Sequence, residues 1–293
     1  MPKIAYLGPE GTFGWRVAAS NNPGAELIPC GSHAQVIQAV AAREVSKGYV
    51  ARENSLGGTV IDTVDPLGRN AVGIEMRLEG GKVVSSQGRV VVCGEAVLPI
   101  VQCLYGTPQK VARVYSHPQA ITQCGEFIKR RFPGAKLVPA TSTVAGVEEL
   151  RQDTEAVAIA PPWAVDFYPD IPLVETGIQD SPVNDTRFLA IGTNECAPTG
   201  QDKTSLCFTV PDDERPGSFD RVSMILALVG INKYLIESRP TKTALGRYIF
   251  LMDVDGHRLD PVLSRVLELI VLTGLTTSLR VWGSYPRQNG RNA

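Results

Sequence analysis

No apolar run in the 293-residue chain is long enough to cross a bilayer, which takes ~20 residues. The best stretch, Val222 to Ile231, is short and contains Ser223 and Gly230. No secretory leader is expected either: MPKIAYLGP reads as a strand, with no long apolar run after Lys3. A cytoplasmic protein with no membrane partner is expected. There are 3 histidines, none at metal-ligand spacing from another His or a Cys, so no metal site is expected. Cys30, Cys93, Cys103, Cys124, Cys196 and Cys207 form no C-x-x-C pair and read as reduced, structural thiols. Neither sign of charge is in excess. Lys plus Arg is 29 and Asp plus Glu is 30, which argues against a nucleic-acid partner. The 43% hydrophobic and 20% charged fractions exclude a disordered chain, and 28 Gly with 21 Pro exclude a coiled coil. The length calls for two or three packed units.

What is present is alternation. KIAYLGP, AELIPC, GYVARE, ARVYSHP, AKLVPA and AVAIAP are predicted strands, with helices predicted over 33–43, 118–131 and 142–150. Such α/β alternation implies parallel sheets with ligands at the carboxyl ends of the strands. Ser32 and Ser142 stand as N-caps where two strands end. Residues 69–90 break the rhythm as a hairpin around Gly80-Gly81, read as an excursion from the sheet. After a Pro/Gly-containing linker at 194–203, residues 204–293 run strand, helix, strand, strand, helix, strand, the order of a ferredoxin-like (βαββαβ) sandwich.

Five polar clusters fall at predicted strand ends. Gly8-Pro9-Glu10-Gly11-Thr12-Phe13 offers turning glycines, a hydroxyl and free amides for an anion, although its spacing alone favours an ordinary strand-to-helix turn with Thr12 as N-cap. Glu53-Asn54-Ser55 could orient a polar ligand or bond its own backbone. In Ser116-His117-Pro118-Gln119, His117 is a candidate acid or base or a helix cap. Thr141-Ser142-Thr143 places three hydroxyls at a helix start. In Asn184-Asp185-Thr186-Arg187-Phe188, Thr186 is a neutral donor, Arg187 a bidentate carboxylate clamp and Phe188 an apolar wall. Together they suit a small anion held by many hydrogen bonds, and no nucleophile-and-base triad is evident.

The same residues, in the same order over nearly the whole chain, resemble prephenate dehydratases. The tail, with Ile236-Glu237-Ser238-Arg239-Pro240 and Gly283-Ser284-Tyr285-Pro286, resembles their ACT-type regulatory domain. The resemblance implies a two-lobed, periplasmic-binding-protein-like catalytic region over 1–193, its second lobe at about 106–180, and an ACT domain over 204–293. It implies conversion of prephenate to phenylpyruvate, CO2 and water without metal or cofactor, and phenylalanine as effector.

By that resemblance Thr186, Arg187 and Phe188 are the catalytic set: Thr186 steadies the departing C4 hydroxyl, Arg187 holds a carboxylate and Phe188 favours loss of charge as CO2 leaves. Thr12, Glu53, Asn54, Ser55, Ser116, His117, Gln119, Thr141, Ser142, Thr143 and Asn184 are the expected substrate-binding residues. Gly217, Ser218, Asn232, Glu237, Ser238 and Arg239 are the expected effector-binding residues.

The sequence also departs from the family. Gly14-Trp15 follows Thr12-Phe13 where a small hydroxyl residue is usual, and Ala51-Arg52 replaces Pro-Ile, placing a cation beside the expected cleft. Gln102 stands for a histidine, and Arg215-Pro216-Gly217-Ser218-Phe219 replaces a Gly-Ala-Leu segment. These departures leave open a non-aromatising prephenate decarboxylase, arogenate as substrate, or a non-catalytic amino-acid sensor. Pairing through the regulatory domain would make a homodimer or homotetramer.

Overall fold

The structure is a computed structural model that describes residues 1–69, 72–211, 216–243 and 245–288. Arg215, Arg291 and two residues of the 69–90 segment (Asn70 and Ala71) lie outside the described residues. The first lobe contains β1 (Lys3–Leu7), α1 (Phe13–Asn21), β2 (Glu26–Cys30), α2 (His33–Ala41), β3 (Lys47–Asn54), β4 (Gly58–Thr59) and α3 (Ile61–Arg69). A hairpin follows, β5 (Ile74–Glu79) and β6 (Lys82–Gln87), and then β7 (Val91–Pro99).

The second lobe contains β8 (Cys103–Tyr105), β9 (Arg113–Ser116), α4 (Pro118–Gln123), α5 (Gly125–Arg131), β10 (Lys136–Pro139), α6 (Thr143–Glu148), β11 (Ala156–Ala160) and β12 (Leu173–Thr176). The chain then returns through β13 (Asp185–Gly192). It ends with β14 (Asp202–Thr209), α7 (Ser218–Leu228), β15 (Lys233–Pro240), β16 (Tyr248–Asp255), α8 (Pro261–Leu272) and β17 (Ser278–Pro286). The expected tail order is what the structure has.

The first sheet runs β2-β1-β3-β13-β7, with β4 on β3, and the second runs β10-β9-β11-β8-β12. In both lobes the helices that follow parallel strands begin at the strands' carboxyl ends, and short polar side chains cap them. Thr12 accepts from Trp15 N at 3.3 Å, Ser32 from Gln35 N at 3.2 Å and Ser142 from Ala145 N at 3.0 Å. Each cap satisfies an amide that would otherwise lack a partner, and together the caps aim helix starts at the gap between lobes.

The helix expected over 118–131 is two. Its first half ends at Cys124, and the Asp180 carboxylate accepts from Glu126 N at 2.9 Å and Phe127 N at 3.1 Å to start the second. Two connections cross between the lobes side by side, with Ile100 N bonded to Asn184 O and Ile178 N to Gln102 O.

The third sheet runs β15-β16-β14-β17-β5-β6. The 69–90 segment is therefore a hairpin as expected, but it does not project from the first sheet: it extends the tail's sheet, with Ile74 opposite Val281 and Met76 opposite Leu279. Ile74 and Met76 join the tail core of Phe208, Val222, Leu226 and Leu267, which explains the placement. The tail sheet's other face shares a core with the first lobe, where Val64, Leu67, Val92 and Ile191 pack with Leu251, Trp282 and Tyr285. At Gly283 the backbones nearly touch, since an added Cβ would lie 1.9 Å from Val92 O. Only glycine allows that approach.

Candidate active site

A cavity of about 310 Å³ lies between the lobes. From the first lobe Thr12, Gly14, His33, Ala51, Asn54, Asp62, Thr186 and Phe188 line it; Gln102, His117, Gln119 and Thr143 close it from the other side. Thr141 lines an adjoining space with Pro9, Ser32 and His33. Of the expected substrate-binding residues the structure therefore brings Thr12, Asn54, His117, Gln119 and Thr143 to one cavity, with Thr141 at its margin.

The floor is a β-bulge. Thr186 pairs with Asn54 and Phe188 with Ala51, so Arg52 and Glu53 together oppose Arg187. The extra residue turns Arg52 and Glu53 to the sheet's other face and puts Asn54 beside Thr186 on the cavity face. Asn54 Nδ2 donates to Thr186 Oγ1 at 3.0 Å and to Asn184 Oδ1 at 2.8 Å. Its Oδ1 accepts from Leu56 N and Gly57 N, which fixes the amide's orientation.

Ser55, Ser116, Ser142 and Asn184 are structural neighbours rather than lining residues. Ser55 accepts from Asp185 N, Ser116 donates to Ile159 O, Ser142 caps α6 and Asn184 supports Asn54.

The expectation that Arg187 clamps a substrate carboxylate is corrected by its position. Successive strand side chains point to opposite faces, so with Thr186 and Phe188 in the cavity Arg187 points away. Its guanidinium meets three carboxylates: Glu53 at 2.8 Å, Glu95 at 3.1 Å and Asp253 at 2.6 Å. Glu53 is thereby also turned from the substrate side. Burial by itself lowers the Arg187 pKa, but the surrounding carboxylates raise it overall. Arg52, expected beside the cleft, is buried on the same far face and ion-paired to Glu237 at 3.3 Å.

None of the described lining residues is Lys or Arg. The cavity offers hydroxyls, amides, helix starts and two imidazoles. Burial pushes His117 below its ordinary value and takes His33 to about 4, the Asp62 carboxylate opposing the latter shift. Both rings are therefore neutral near pH 7. His117 Nδ1 accepts from Gln119 N at 3.3 Å, so its Nε2 carries the proton.

A second set of residues was not foreseen from sequence. Trp163 Nε1 donates to Gly11 O at 2.7 Å across the lobes, while Phe13 meets Trp163 edge-on at 5.3 Å and Trp15 meets Phe167 at 5.2 Å. Aromatic pairs in this geometry contribute ~0.5–1.5 kcal/mol each. They hold the lobes together beside the cavity mouth, and this is what Trp15 does in place of a small hydroxyl residue.

The expected effector residues divide between two faces. Gly217 (φ +82°) and Ser218 open α7, and the neighbouring Phe219 packs on Phe208 and Phe250, the latter opposite Ser238. Asn232 and Ser238 are exposed. Glu237 and Arg239 instead face the first lobe: Glu237 accepts from Thr59 Oγ1 at 2.8 Å and Arg239 donates to Asp65 at 3.4 Å.

The family model for prephenate dehydratase matches residues 4–196. A prephenate dehydratase of Lactococcus lactis subsp. cremoris is 32% identical over 97% of this chain and 97% of its own. The crystal structure of an Arthrobacter aurescens prephenate dehydratase in complex with L-Phe superposes with TM-score 0.80 at 30% identity, covering 99% of this chain and 93% of that one. A structure described as GqqA, a novel type of quorum quenching acylase, superposes with TM-score 0.78 at 26% identity, covering 98% of each chain. By the family model and the full-length relative, the chain belongs to the prephenate dehydratase family.

Proposed function

We propose that the chain converts prephenate to phenylpyruvate, CO2 and water as a carbon–oxygen lyase of phenylalanine biosynthesis, with phenylalanine as its effector. The observation that carries this reading is the Asn54–Thr186 pair on the cavity floor. Because Asn54 Nδ2 fills an acceptor site of Thr186 Oγ1, the hydroxyl proton is free to be donated into the cavity.

In the reaction, the ring C–CO2 bond breaks and its electron pair enters the ring. The C4–O bond breaks with its pair going to oxygen, and the departing hydroxide takes a proton to leave as water. Aromatisation drives both losses, and the catalytic requirement is stabilisation of charge developing on the C4 oxygen. A threonine hydroxyl is a weak acid, so Thr186 acts by hydrogen bonding and position. The His117 Nε2–H is a second neutral donor on the cavity wall. Phe188 and Ala51 provide an apolar surface beside which a carboxylate becoming CO2 loses its charge readily. With no Lys or Arg among the described lining residues, and with the Thr12 hydroxyl donated to Leu7 O, the two substrate carboxylates are held by the Thr143 hydroxyl and by free amides at the start of α1 and α2, where the helix dipole favours negative charge. Thr141 extends that region.

The fold shared with an acylase does not favour acyl transfer here. Thr186 has an amide as its neighbour, whereas a nucleophilic hydroxyl needs a base. Exposed apolar side chains on both tail helices, among them Met224, Leu228, Val262 and Leu269, support self-association as a homodimer or homotetramer of a cytoplasmic enzyme. Incubation with prephenate tests the reading. Phenylpyruvate is expected, with turnover lowered ~10²–10³-fold in Thr186→Val, and a non-aromatic product or none would overturn it. Isothermal titration with phenylalanine tests the effector.

A further inference from the structure

The catalytic strand is held from outside the catalytic region. Arg187 stands between Thr186 and Phe188 on β13, and its shortest carboxylate contact, 2.6 Å, is to Asp253 on β16 of the tail. Asp253 is itself fixed. Ser205 Oγ donates to its Oδ1 at 2.7 Å, and Tyr285 Oη lies 2.7 Å from the same Ser205 oxygen. Glu95, the second carboxylate on Arg187, is neutralised by Lys203 Nζ at 2.9 Å, and Lys203 also belongs to the tail. The groups around Asp253 from the neighbouring elements include Arg187, Ser205, the Tyr285 hydroxyl and, farther off, the Arg52 guanidinium. Burial alone raises the Asp253 pKa, but these neighbours hold it below its ordinary value. A cluster this enclosed tolerates few arrangements, since each charge must keep its partner.

We infer that Asp253 is a positioning residue for dehydration: from the tail domain, through Arg187, it fixes the strand twist that points Thr186 at the C4 hydroxyl. This rests on the reading that Thr186 donates to that hydroxyl, and it deepens that reading by naming a residue outside the cavity that sets the donor's direction. Asn54 locates the Thr186 oxygen from the cavity side, and Asp253 anchors the next residue from the opposite side. A shift of the Arg187 side chain would rotate β13 and misaim the hydroxyl without changing the groups that hold the substrate carboxylates.

The test is steady-state turnover of prephenate by the full-length chain carrying Asp253→Asn, alone and combined with Thr186→Ala, with thermal unfolding recorded for every variant. The expected result is a kcat lowered at least tenfold with KM within twofold. In the Thr186→Ala background the second change should cost less than twofold, because the hydroxyl it positions is gone. Ser205→Ala, which frees the carboxylate without removing the charge, should lower kcat two- to fivefold and decides the matter if Asp253→Asn does not fold. Folded variants with wild-type kcat, or equal loss with and without Thr186, overturn the inference while leaving the dehydratase reading intact. A wild-type chain that makes no phenylpyruvate overturns both.

Discussion

Asn54 Nδ2 lies 3.0 Å from Thr186 Oγ1, and the Asn54 carbonyl is held by two backbone amides, so the direction of this hydrogen bond is set by the fold. Asn54→Asp replaces a donor by an acceptor at nearly the same shape. The carboxylate would draw the Thr186 proton toward itself and away from the substrate. It would also face Asn184 Oδ1 without a proton to share. We expect kcat to fall ~10²-fold, comparable to loss of one oxyanion donor. A stability cost of about 1–3 kcal/mol is expected from the buried group left unpaired. Kinetics and urea unfolding of the same preparation measure the two effects, and unchanged kcat would count against the donor role.

The contact from Trp163 to Gly11 joins the lobes beside the cavity, so its loss should act on binding more than on chemistry. Trp163→Phe keeps an aromatic edge for Phe13 but removes the 2.7 Å donor to Gly11 O. A net hydrogen bond of ~1 kcal/mol corresponds to about a fivefold rise in KM with kcat little changed. Should kcat fall while KM stays constant, the contact serves the chemical step and the closure role is wrong.

His33 gives the protein a calculable acid limb. Its imidazole is buried at the start of α2 and titrates at about 4 instead of 6.5. As pH falls below 6.5 the unfolded chain takes up the proton first, so stability present above that pH is lost on the way down to about 4. The difference amounts to about 3 kcal/mol over that window. His33→Leu should flatten this limb of a pH series of urea midpoints, and a wild-type curve already flat between pH 4 and 6.5 would refute the assignment.

The strand ends carrying polar clusters, the three caps at Thr12, Ser32 and Ser142, and the order of the tail elements were all legible in the chain, because caps and periodicity are local. The face each site residue occupies was legible only in part. Strand alternation puts Thr186 and Phe188 opposite Arg187, which by itself warns against using all three on one ligand. On β3 the same alternation would place Glu53 with Ala51 in the cavity. The bulge reverses this, and a bulge depends on the register with β13, a long-range pairing. The partners of Arg187 did leave a local trace: Glu95 in VVVCGEAVLP and Asp253 in YIFLMDV are single carboxylates inside apolar runs, where a charge survives only if paired. Which cation pairs with them was set by the docking of the tail, and no local pattern carries that.

Arg52 and Glu237 form a further charged link between the lobe and the tail, with the guanidinium almost fully buried. Glu237→Gln keeps an acceptor for Thr59 but leaves Arg52 without its counter-charge. A loss of about 3 kcal/mol is expected, and Arg52→Met added to it should recover much of that loss. A double-mutant cycle on urea unfolding gives the coupling, and additive effects would mean that the pair contributes nothing.

The hairpin can be removed cleanly. Gly88 N donates to Gly73 O at 2.7 Å, so the chain leaves and re-enters the body at nearly one point, and residues 74–87 can be excised with Gly73 joined to Gly88. The excision uncovers the edge of β17, where Leu279 and Val281 are now buried opposite Met76 and Ile74. An unpaired, apolar strand edge is a template for another chain. The shortened protein should keep its turnover of prephenate, since the hairpin supplies no cavity residue, yet elute at larger, concentration-dependent sizes in gel filtration. Elution and unfolding midpoint identical to the full chain would show that β5 and β6 neither cover that edge nor add to the tail core.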